Sequence, residues 1–282
     1  MVAHCTRLLQ KSRLLLTQRC SPKAQQILAC STTTVGSAFR RSFATASPPH
    51  KKEEALDMAY SPVNGFQMNQ YVIACTATRQ AAIIDCGAST AKELDAFLKW
   101  IKDRDYNLTA VWQTHAHLDH IAGLGLLFRD HNDDNVSEED VPIYLHEKER
   151  KIYNGFEDRC REFGFQVEGS TNLPKDTRLT YLNDDSQQLS LGQLTFDIIQ
   201  TPGHSPGHIG FWYDNHFFGG DFIMQGSIGR TDFPTSNHAD MEDSLERFVK
   251  NTPEVTIIFP GHGPPTSLKE EKSNNPFLQN LQ

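Results

Sequence analysis

A short segment of this 282-residue chain concentrates the residue types that bind metal ions. Four such side chains fall within six residues: His115, His117, Asp119 and His120. They follow an apolar run over 108–113, and alternate side chains leaving a strand point to the same side. Imidazole and carboxylate groups are ligands that zinc and iron accept. The pattern therefore predicts a metal site, and a solvated polar loop is the alternative.

Three more apolar segments lead into a histidine or an aspartate, which argues against the loop alternative. These segments and residues are 194–199 with His204, 217–220 with Asp221, and 255–259 with His262. A glycine directly precedes each of the three residues, as suits the tight turns at which strands end. We expect the four segment ends to converge at one edge of a sheet structure.

The elements that must position these residues alternate between strands and helices. Short β-type runs predict strands over 71–74, 81–84, 108–113, 143–145, 194–199, 209–213, 217–218 and 255–259. Helical periodicity predicts helices over 91–103, 123–129, 147–163 and 241–250. Each half of the chain thus pairs a sheet with helices on one side. This order predicts an α/β fold, a four-layer αββα sandwich in a single domain.

The motifs resemble those of the metallo-β-lactamase superfamily over about residues 60–282. The matching segments are Thr-His-Ala-His-Leu-Asp-His over 114–120, Thr-Pro-Gly-His over 201–204, Gly-Gly-Asp over 219–221 and Pro-Gly-His over 260–262. Within the superfamily the chain is most similar to the glyoxalase II group. The segments over 226–234 and 275–278 resemble the short, single-domain members of that group.

The resemblance implies a centre with two divalent metal ions, zinc first, with iron or manganese as alternatives. One ion would be held by His115, His117 and His204. The second would be held by Asp119, His120 and His262. Asp221 would bridge the two ions, Asp119 and Asp221 are the expected catalytic carboxylates, and Asp85 would support the ligands by hydrogen bonds.

Such a centre implies hydrolysis of a thioester of the hydroxyacylglutathione hydrolase (glyoxalase II) type. A water shared by two metal ions has a lowered pKa, and the resulting bridging hydroxide attacks the carbonyl carbon. A thiolate is a good leaving group, so no nucleophilic serine or cysteine is required. Full-length glyoxalase II enzymes carry a helical domain after the last histidine ligand, and only 20 residues follow His262 here. That difference leaves the thiol part of the substrate open.

The alternative function is that of the mitochondrial persulfide dioxygenases, which resemble this chain in length and in a Gly-Arg-Thr-Asp-Phe loop. Their single non-haem iron is held by two histidines and an aspartate, which would be His115, His204 and Asp221 here. Ile228 and Pro234 are more similar to the hydrolase branch, which favours hydrolysis. A non-catalytic scaffold is disfavoured because no ligand position is missing.

Several other residues near these motifs have two possible roles. Arg230 binds a substrate carboxylate, or it forms a structural pair with Asp232; the sequence favours neither. His208 is expected to be a structural, hydrogen-bonding histidine. Tyr71 and Phe66 are expected to lie in the core rather than to contact the substrate.

The first fifty residues differ in composition from the rest of the chain. They contain seven basic residues and no Asp or Glu, as is typical of an organelle transit peptide. We expect a transit peptide over 1–43, a linker over 44–59 and the hydrolase domain over 60–282. This predicts the mitochondrial matrix, with the plastid as an alternative; a basic tail that is retained is the other interpretation.

The bulk composition restricts the partners. The chain has 35 acidic against 27 basic residues, which disfavours binding to nucleic acid and hence the nuclease branch of the superfamily. No apolar run is long enough to span a membrane. The expected partner is a small-molecule substrate, and the sequence leaves the oligomeric state open.

Overall fold

The computed structural model describes residues 56–128, 141–169, 171–183, 187–279 and 281. The expected transit peptide over 1–43 lies outside the described residues, as does most of the expected linker. All described residues belong to one compact unit of the chain. The first strand begins at Leu56, ahead of residue 60, where we expected the domain to start.

Two six-stranded sheets form the centre of the fold. The first sheet has the spatial order β1 (Leu56–Val63), β2 (Met68–Cys75), β3 (Gln80–Ile84), β4 (Asn107–Trp112), β5 (Ile143–His146) and β6 (Leu179–Leu182). The second sheet contains β7 (Gln188–Leu191), β8 (Leu194–Gln200), β9 (Ile209–Tyr213), β10 (His216–Gly220), β13 (Ile257–Pro260) and β14 (Thr266–Ser267). Its spatial order is β14-β13-β10-β9-β8-β7. A small hairpin joins β11 (Ile223–Met224) to β12 (Ser227–Ile228).

The helices cover the outer faces of the two sheets. They are α1 (Ala91–Asp103), α2 (Leu118–Ile121), α3 (Leu124–Leu127), α4 (Arg150–Asn154), α5 (Phe156–Phe163), α6 (His238–Asn251) and α7 (Leu268–Asn274). None of the helices in the described part of the chain is both long and apolar enough to cross a membrane.

The direction of the side chains alternates along each strand, and this divides the apolar core into three layers. One lies between the two sheets, and one lies between each sheet and its helices. In β4, Trp112 packs between the sheets, whereas Val111 faces the α1 side. In β10, Phe218 packs between the sheets, whereas Phe217 faces α6. Because successive side chains of a strand point to opposite faces, one apolar strand can serve two layers. The result is the predicted four-layer αββα sandwich.

Strand direction places the candidate ligands at one edge of the sandwich. β3 and β4 run parallel to each other in the first sheet. In the second sheet β10 is parallel to β13 and antiparallel to β9, which is antiparallel to β8. The strands β8, β10 and β13 therefore share one direction. Their carboxyl ends, like those of β3 and β4, are followed by the candidate site residues.

The predicted helix over 147–163 differs from the structure. It is two short helices, α4 and α5, that meet at Gly155 after a turn of 3₁₀ helix over Glu147–Glu149. Glycine lowers helix stability, so the periodic pattern on both sides does not suffice for one continuous helix. The strands β1, β6, β7, β11, β12 and β14 and the helix α7 were not predicted.

Candidate metal centre

Three histidine nitrogens face one another where the two sheets meet. His115 Nε2 lies 3.1 Å from His117 Nδ1, and His117 Nδ1 lies 2.8 Å from His204 Nε2. His115 and His117 follow β4, and His204 follows β8 of the other sheet. These three histidines are the first ligand set that the resemblance implied.

A second group lies beside the first one. His262 Nε2 is 3.1 Å from Asp119 Oδ2, and His120 Nε2 is 3.8 Å from the same carboxylate oxygen. Asp119 and His120 lie in the short helix α2, directly after the first two histidines. These three residues are the second implied ligand set.

Asp221 lies between the two groups, in the place expected for a bridging ligand. One carboxylate oxygen, Oδ1, is 3.4 Å from His120 Nε2. The other, Oδ2, is 3.4 Å from His204 Nε2 and 3.6 Å from His262 Nε2. Both groups are thus within reach of one carboxylate, which follows β10.

The donor atoms fit metal ions. Three overlapping sets have ligand atoms within 4.8 Å of one another: His115, His117 and His204; His115, His120 and Asp221; and Asp119, His120 and His262. Within the described chain, the buried atoms His120 Nε2 and Asp221 Oδ1 have no hydrogen-bond partner. A buried polar atom without a partner is costly, and a metal ion would satisfy both of these atoms. Imidazole and carboxylate donors in this number suit divalent ions such as zinc or iron.

Asp85 orients the first-half ligands, as the resemblance implied. Its carboxylate accepts hydrogen bonds from the backbone N–H of Thr114 and from the Thr114 hydroxyl, both at 2.8 Å. It also lies 2.9 Å from His120 Nδ1. With Nδ1–H donating to Asp85, the Nε2 atom of His120 faces the centre. The Thr114 hydroxyl oxygen is in turn 3.0 Å from His115 Nδ1.

Backbone carbonyls orient two of the second-half histidines. The His204 Nδ1–H donates to the carbonyl oxygen of Arg230 at 2.8 Å. The His262 Nδ1–H donates to the carbonyl oxygen of Phe66 at 3.2 Å. In each ring the proton is on Nδ1, and Nε2 faces the shared centre without a proton. This is the tautomer that a metal ligand at Nε2 requires.

Burial keeps three of the histidines neutral. It lowers the pKa of His115 well below the usual range and lowers the pKa of His117 to about 3, and neighbouring histidines add to both effects. The pKa of His204 is also lowered, by burial first. Neutral imidazole is the form that offers a lone pair to a cation.

His120 and Asp221 behave differently because each is surrounded by opposite charge. Burial disfavours the charged form of His120, but the carboxylates of Asp221, Asp119 and Asp85 outweigh it and raise its pKa well above the usual range. Burial likewise opposes ionisation of Asp221, but His120, His262 and His204 outweigh it and lower its pKa. Asp221 is therefore a carboxylate, ready to bind a cation.

Glu149 is a buried carboxylate that the sequence analysis missed. Its two oxygens accept hydrogen bonds from the backbone N–H of Ala116 at 2.9 Å and of Gly207 at 2.7 Å. Ala116 lies between two candidate ligands of the first half, and Gly207 follows His204 in the second half. Glu149 thus joins the two ligand loops. No sequence signal indicated this, because a glutamate beside a helix is usually exposed.

The loop that carries His262 is held by residues of the other sheet. Asn69 Nδ2 donates to the carbonyl oxygens of Pro260 at 3.0 Å and of Gly263 at 2.6 Å. The Tyr71 hydroxyl donates to the same Pro260 oxygen at 2.6 Å. Tyr71 is buried, as predicted, and its hydroxyl adds this second role.

Glycine is required beside the ligands at position 261. A Cβ atom on Gly261 would lie 2.2 Å from Asp221 Oδ1 and 2.7 Å from His120 Cε1. Any other residue would therefore push the strand end away from the centre. The short Pro-Gly-His motif reflects this close approach.

His208 is structural, as predicted. It is buried, its Nδ1 lies 2.7 Å from the Thr201 hydroxyl, and its Nε2 accepts a hydrogen bond from the backbone N–H of Asp221 at 3.1 Å. It therefore orients the Asp221 backbone and is not part of any of the three donor groups.

A cavity of about 720 Å³ opens onto the donor groups. Arg230 and Phe66 both line it. The Arg230 guanidinium forms a two-point ion pair with Asp232, at 2.9 and 2.8 Å, and both side chains are exposed. The prediction that Phe66 lies in the core is wrong, because its side chain is 47% exposed. An aromatic residue in a tight turn can border a cavity as readily as it can fill a core.

Comparisons with known proteins agree with this geometry. The model of the metallo-beta-lactamase superfamily matches residues 63–262. The hydroxyacylglutathione hydrolase GloC of Haemophilus influenzae is 31% identical over 226 residues, which cover 79% of this chain and 98% of GloC. The crystal structure of BLEG-1 B3 metallo-beta-lactamase has 30% identity and a TM-score of 0.63, covering 78% of this chain and 99% of that one. TTHA1623, solved in a di-iron-bound form, has 30% identity and a TM-score of 0.62, covering 77% and 99%.

Proposed function

This chain belongs to the metallo-β-lactamase superfamily and is a metal-dependent hydrolase, and on that premise we propose that it hydrolyses thioesters of the hydroxyacylglutathione type. The observation that carries the proposal is the complete group of seven donor residues at a cavity large enough for such a substrate. The similarity to GloC supports the thioester. The alignment covers 98% of GloC, so the region that this chain shares with GloC spans nearly all of that hydrolase.

We propose that the centre holds two divalent ions, with zinc as the first candidate. The first ion would be bound by His115, His117 and His204. The second would be bound by Asp119, His120 and His262. Asp221 would contact both. When bound, the ions would supply an activated water and would polarise the carbonyl group of the substrate.

The residues of the chain position the reaction around that chemistry. Asp119 lines the cavity, so its carboxylate is placed to accept the proton that the attacking water loses. The thiolate leaves on the cavity side, where Arg230 is exposed. The bonds that orient His120 and His204 from behind keep the centre in place while the substrate is exchanged.

A thiol-release assay tests this proposal. The purified protein is incubated with an acylglutathione, and the thiol that appears is measured with a thiol reagent. We expect hydrolysis that is lost after chelation and restored by divalent zinc, iron or manganese. The absence of thiol release with every metal would refute the proposed function.

Metal analysis separates hydrolysis from the dioxygenase alternative. We expect two metal ions per chain and no oxygen uptake with glutathione persulfide. One iron per chain, together with oxygen uptake on that substrate, would show that the single-iron chemistry is the correct one. The ring centroids of His115 and His204 are 4.9 Å apart and His204 Nε2 lies 3.4 Å from Asp221 Oδ2, but these three residues are not one of the three donor groups.

We also propose that residues 1–43 direct the protein to the mitochondrial matrix. The support is their composition, with basic residues and without acidic ones. A fluorescent protein fused to residues 1–43 should enter mitochondria. The same fusion with the arginines of this segment replaced by glutamine should not. Plastid import or a cytosolic signal from the first fusion would contradict the proposal.

A further inference from the structure

Two exposed aromatic side chains line the same cavity as the donor residues. Phe66 is 47% and Phe163 is 50% exposed, and both border the cavity. Among the described residues only three other large hydrophobic side chains are exposed, Val255, Ile257 and Phe277, and none of these lines the cavity. Exposed apolar surface that gathers at a cavity indicates a binding site for an apolar group.

The two aromatic residues line the cavity together with other apolar side chains. Ile152 of α4 and Phe156 of α5 also line it. Phe66 stacks on Phe165, with ring centroids 5.4 Å apart, so its ring is held in place. We call the surface formed by Phe66, Ile152, Phe156 and Phe163 the apolar wall.

The apolar wall is connected to the donor residues. The carbonyl oxygen of Phe66 accepts the hydrogen bond from His262 Nδ1, so the wall and this candidate ligand have a fixed relative position. A substrate whose carbonyl carbon lies at the donor residues can therefore extend an apolar chain along this wall. Charged side chains also line the cavity: Arg159, which is paired with Glu162 at 2.7 Å, and Lys151 and Asp158.

We propose that the apolar wall binds the acyl chain of the substrate, so that the enzyme prefers thioesters with longer, apolar acyl groups. This inference rests on the proposed thioester hydrolysis and adds its substrate class. The acyl group is the part assigned to the wall because glutathione carries charges, which favour water over an apolar surface. Burying each methylene group releases free energy, which the enzyme can use to bind the transition state.

A series of acyl thioesters of N-acetylcysteamine tests the preference. This small, neutral thiol leaves the acyl chain as the only variable. We expect kcat/KM to rise by about twofold or more for each added methylene, from acetyl to octanoyl. Hydrolysis of all members at the same kcat/KM would overturn the inference and leave the proposed function intact.

Paired variants locate the effect on the wall. Phe163→Ala is expected to reduce the ratio of kcat/KM for octanoyl over acetyl by about fivefold. Phe277→Ala removes an equally exposed aromatic ring outside the cavity, 48% exposed, and is expected to leave this ratio unchanged. If both variants reduce this ratio equally, or if neither variant reduces it, the assignment of the acyl chain to this wall is contradicted.

A binding measurement keeps the inference testable if no thioester is hydrolysed. S-alkyl thioethers of N-acetylcysteamine cannot be hydrolysed and require no reaction at the metal ions. We expect calorimetry to give a Kd that falls with chain length and rises in Phe163→Ala but not in Phe277→Ala. A Kd that is independent of chain length would refute the apolar wall, whereas a lack of hydrolysis with chain-dependent binding would refute only the proposed reaction.

Discussion

The two halves of the molecule supply the metal centre in different ways. The first half contributes four candidate ligands from the single segment between β4 and α3. The second half contributes three, His204, Asp221 and His262, from the ends of three different strands. In the first half the spacing along the chain places the side chains near one another. In the second half only the pairing of strands and the packing of the sheets can do so.

This difference is repeated in the residues that support the ligands. In the first half Asp85, at the end of the neighbouring strand, contacts the side chain of His120 directly. In the second half the His262 loop is held by Asn69 and Tyr71 of the opposite sheet. Glu149 contacts both halves through their backbones. The three second-half ligands therefore depend on contacts between the sheets, whereas the four first-half ligands are held by the carboxylates of Asp85 and Glu149.

Replacement of the central second-half ligand is expected to have the largest effect. Among the described residues, Asp221 is the only carboxylate that reaches both donor groups. We therefore expect Asp221→Ala to lower turnover by much more than the roughly hundredfold that a supporting residue costs. We expect the core to remain folded because Asp221 is not part of the three apolar clusters. Steady-state kinetics and thermal unfolding measure the two quantities. Asp243→Ala, on the exposed face of α6, is the control, and an Asp221→Ala enzyme with near-parental turnover would rule out the bridging role.

Asp85→Asn tests the first half. Asn has one acceptor oxygen in place of two, so at least one of the three donors around position 85 loses its partner. Asp85 has a φ of 55°, a left-handed conformation that asparagine tolerates well, so the fold is preserved. We expect metal affinity to fall by about ten- to hundredfold, measured by competition with a chelator. Unchanged affinity would mean that the orientation of His120 does not depend on this carboxylate.

Glu149→Gln tests the contact between the halves. The amide nitrogen of glutamine would face one of the two backbone N–H groups, so one ligand loop loses its acceptor. We expect metal affinity to fall by about tenfold. Glu271→Gln is a matched control, because Glu271 is also buried and accepts from a backbone N–H, that of Gly226, but contacts no ligand loop.

Two measurements on these variants distinguish a residue that positions the metal ligands from one that only stabilises the fold. Both variants are expected to lower the thermal unfolding temperature, but only Glu149→Gln is expected to change metal affinity and the visible spectrum of the cobalt-substituted protein. Equal changes in affinity for the two variants would show that Glu149 acts only on the fold.

Arg230→Ala is expected to have the smallest effect. Its side chain forms an exposed pair with Asp232, and such pairs contribute little to stability. Its carbonyl oxygen, which orients His204, is retained in alanine. We expect KM for an acylglutathione to rise by about threefold at constant kcat, if the guanidinium attracts a substrate carboxylate. A fall in kcat of more than about tenfold would indicate a direct role in the chemistry, and Asp232→Asn controls for loss of the pair alone.

Local patterns predicted the elements that have strong periodicity and clear ends. The helix predicted over 91–103 has the bounds of α1, which begins with a capping box formed by Thr90 and Glu93. The strand before the first ligand segment was also predicted. In contrast, β7 has only two apolar residues among four, Leu189 and Leu191, whereas the short strands predicted over 71–74 and 81–84 are apolar throughout.

The sequence by itself determined the superfamily and the candidate metal ligands of this protein. Residue types and spacing are local properties, and the four residues from His115 to His120, with a glycine before each later ligand, are visible without any structure. The tertiary structure decided what distant residues do together. It placed Asp221 between the two groups, brought Glu149 against both ligand loops and left Phe66 exposed at the cavity. These outcomes depend on how two sheets pack, and no single segment of the chain encodes that packing.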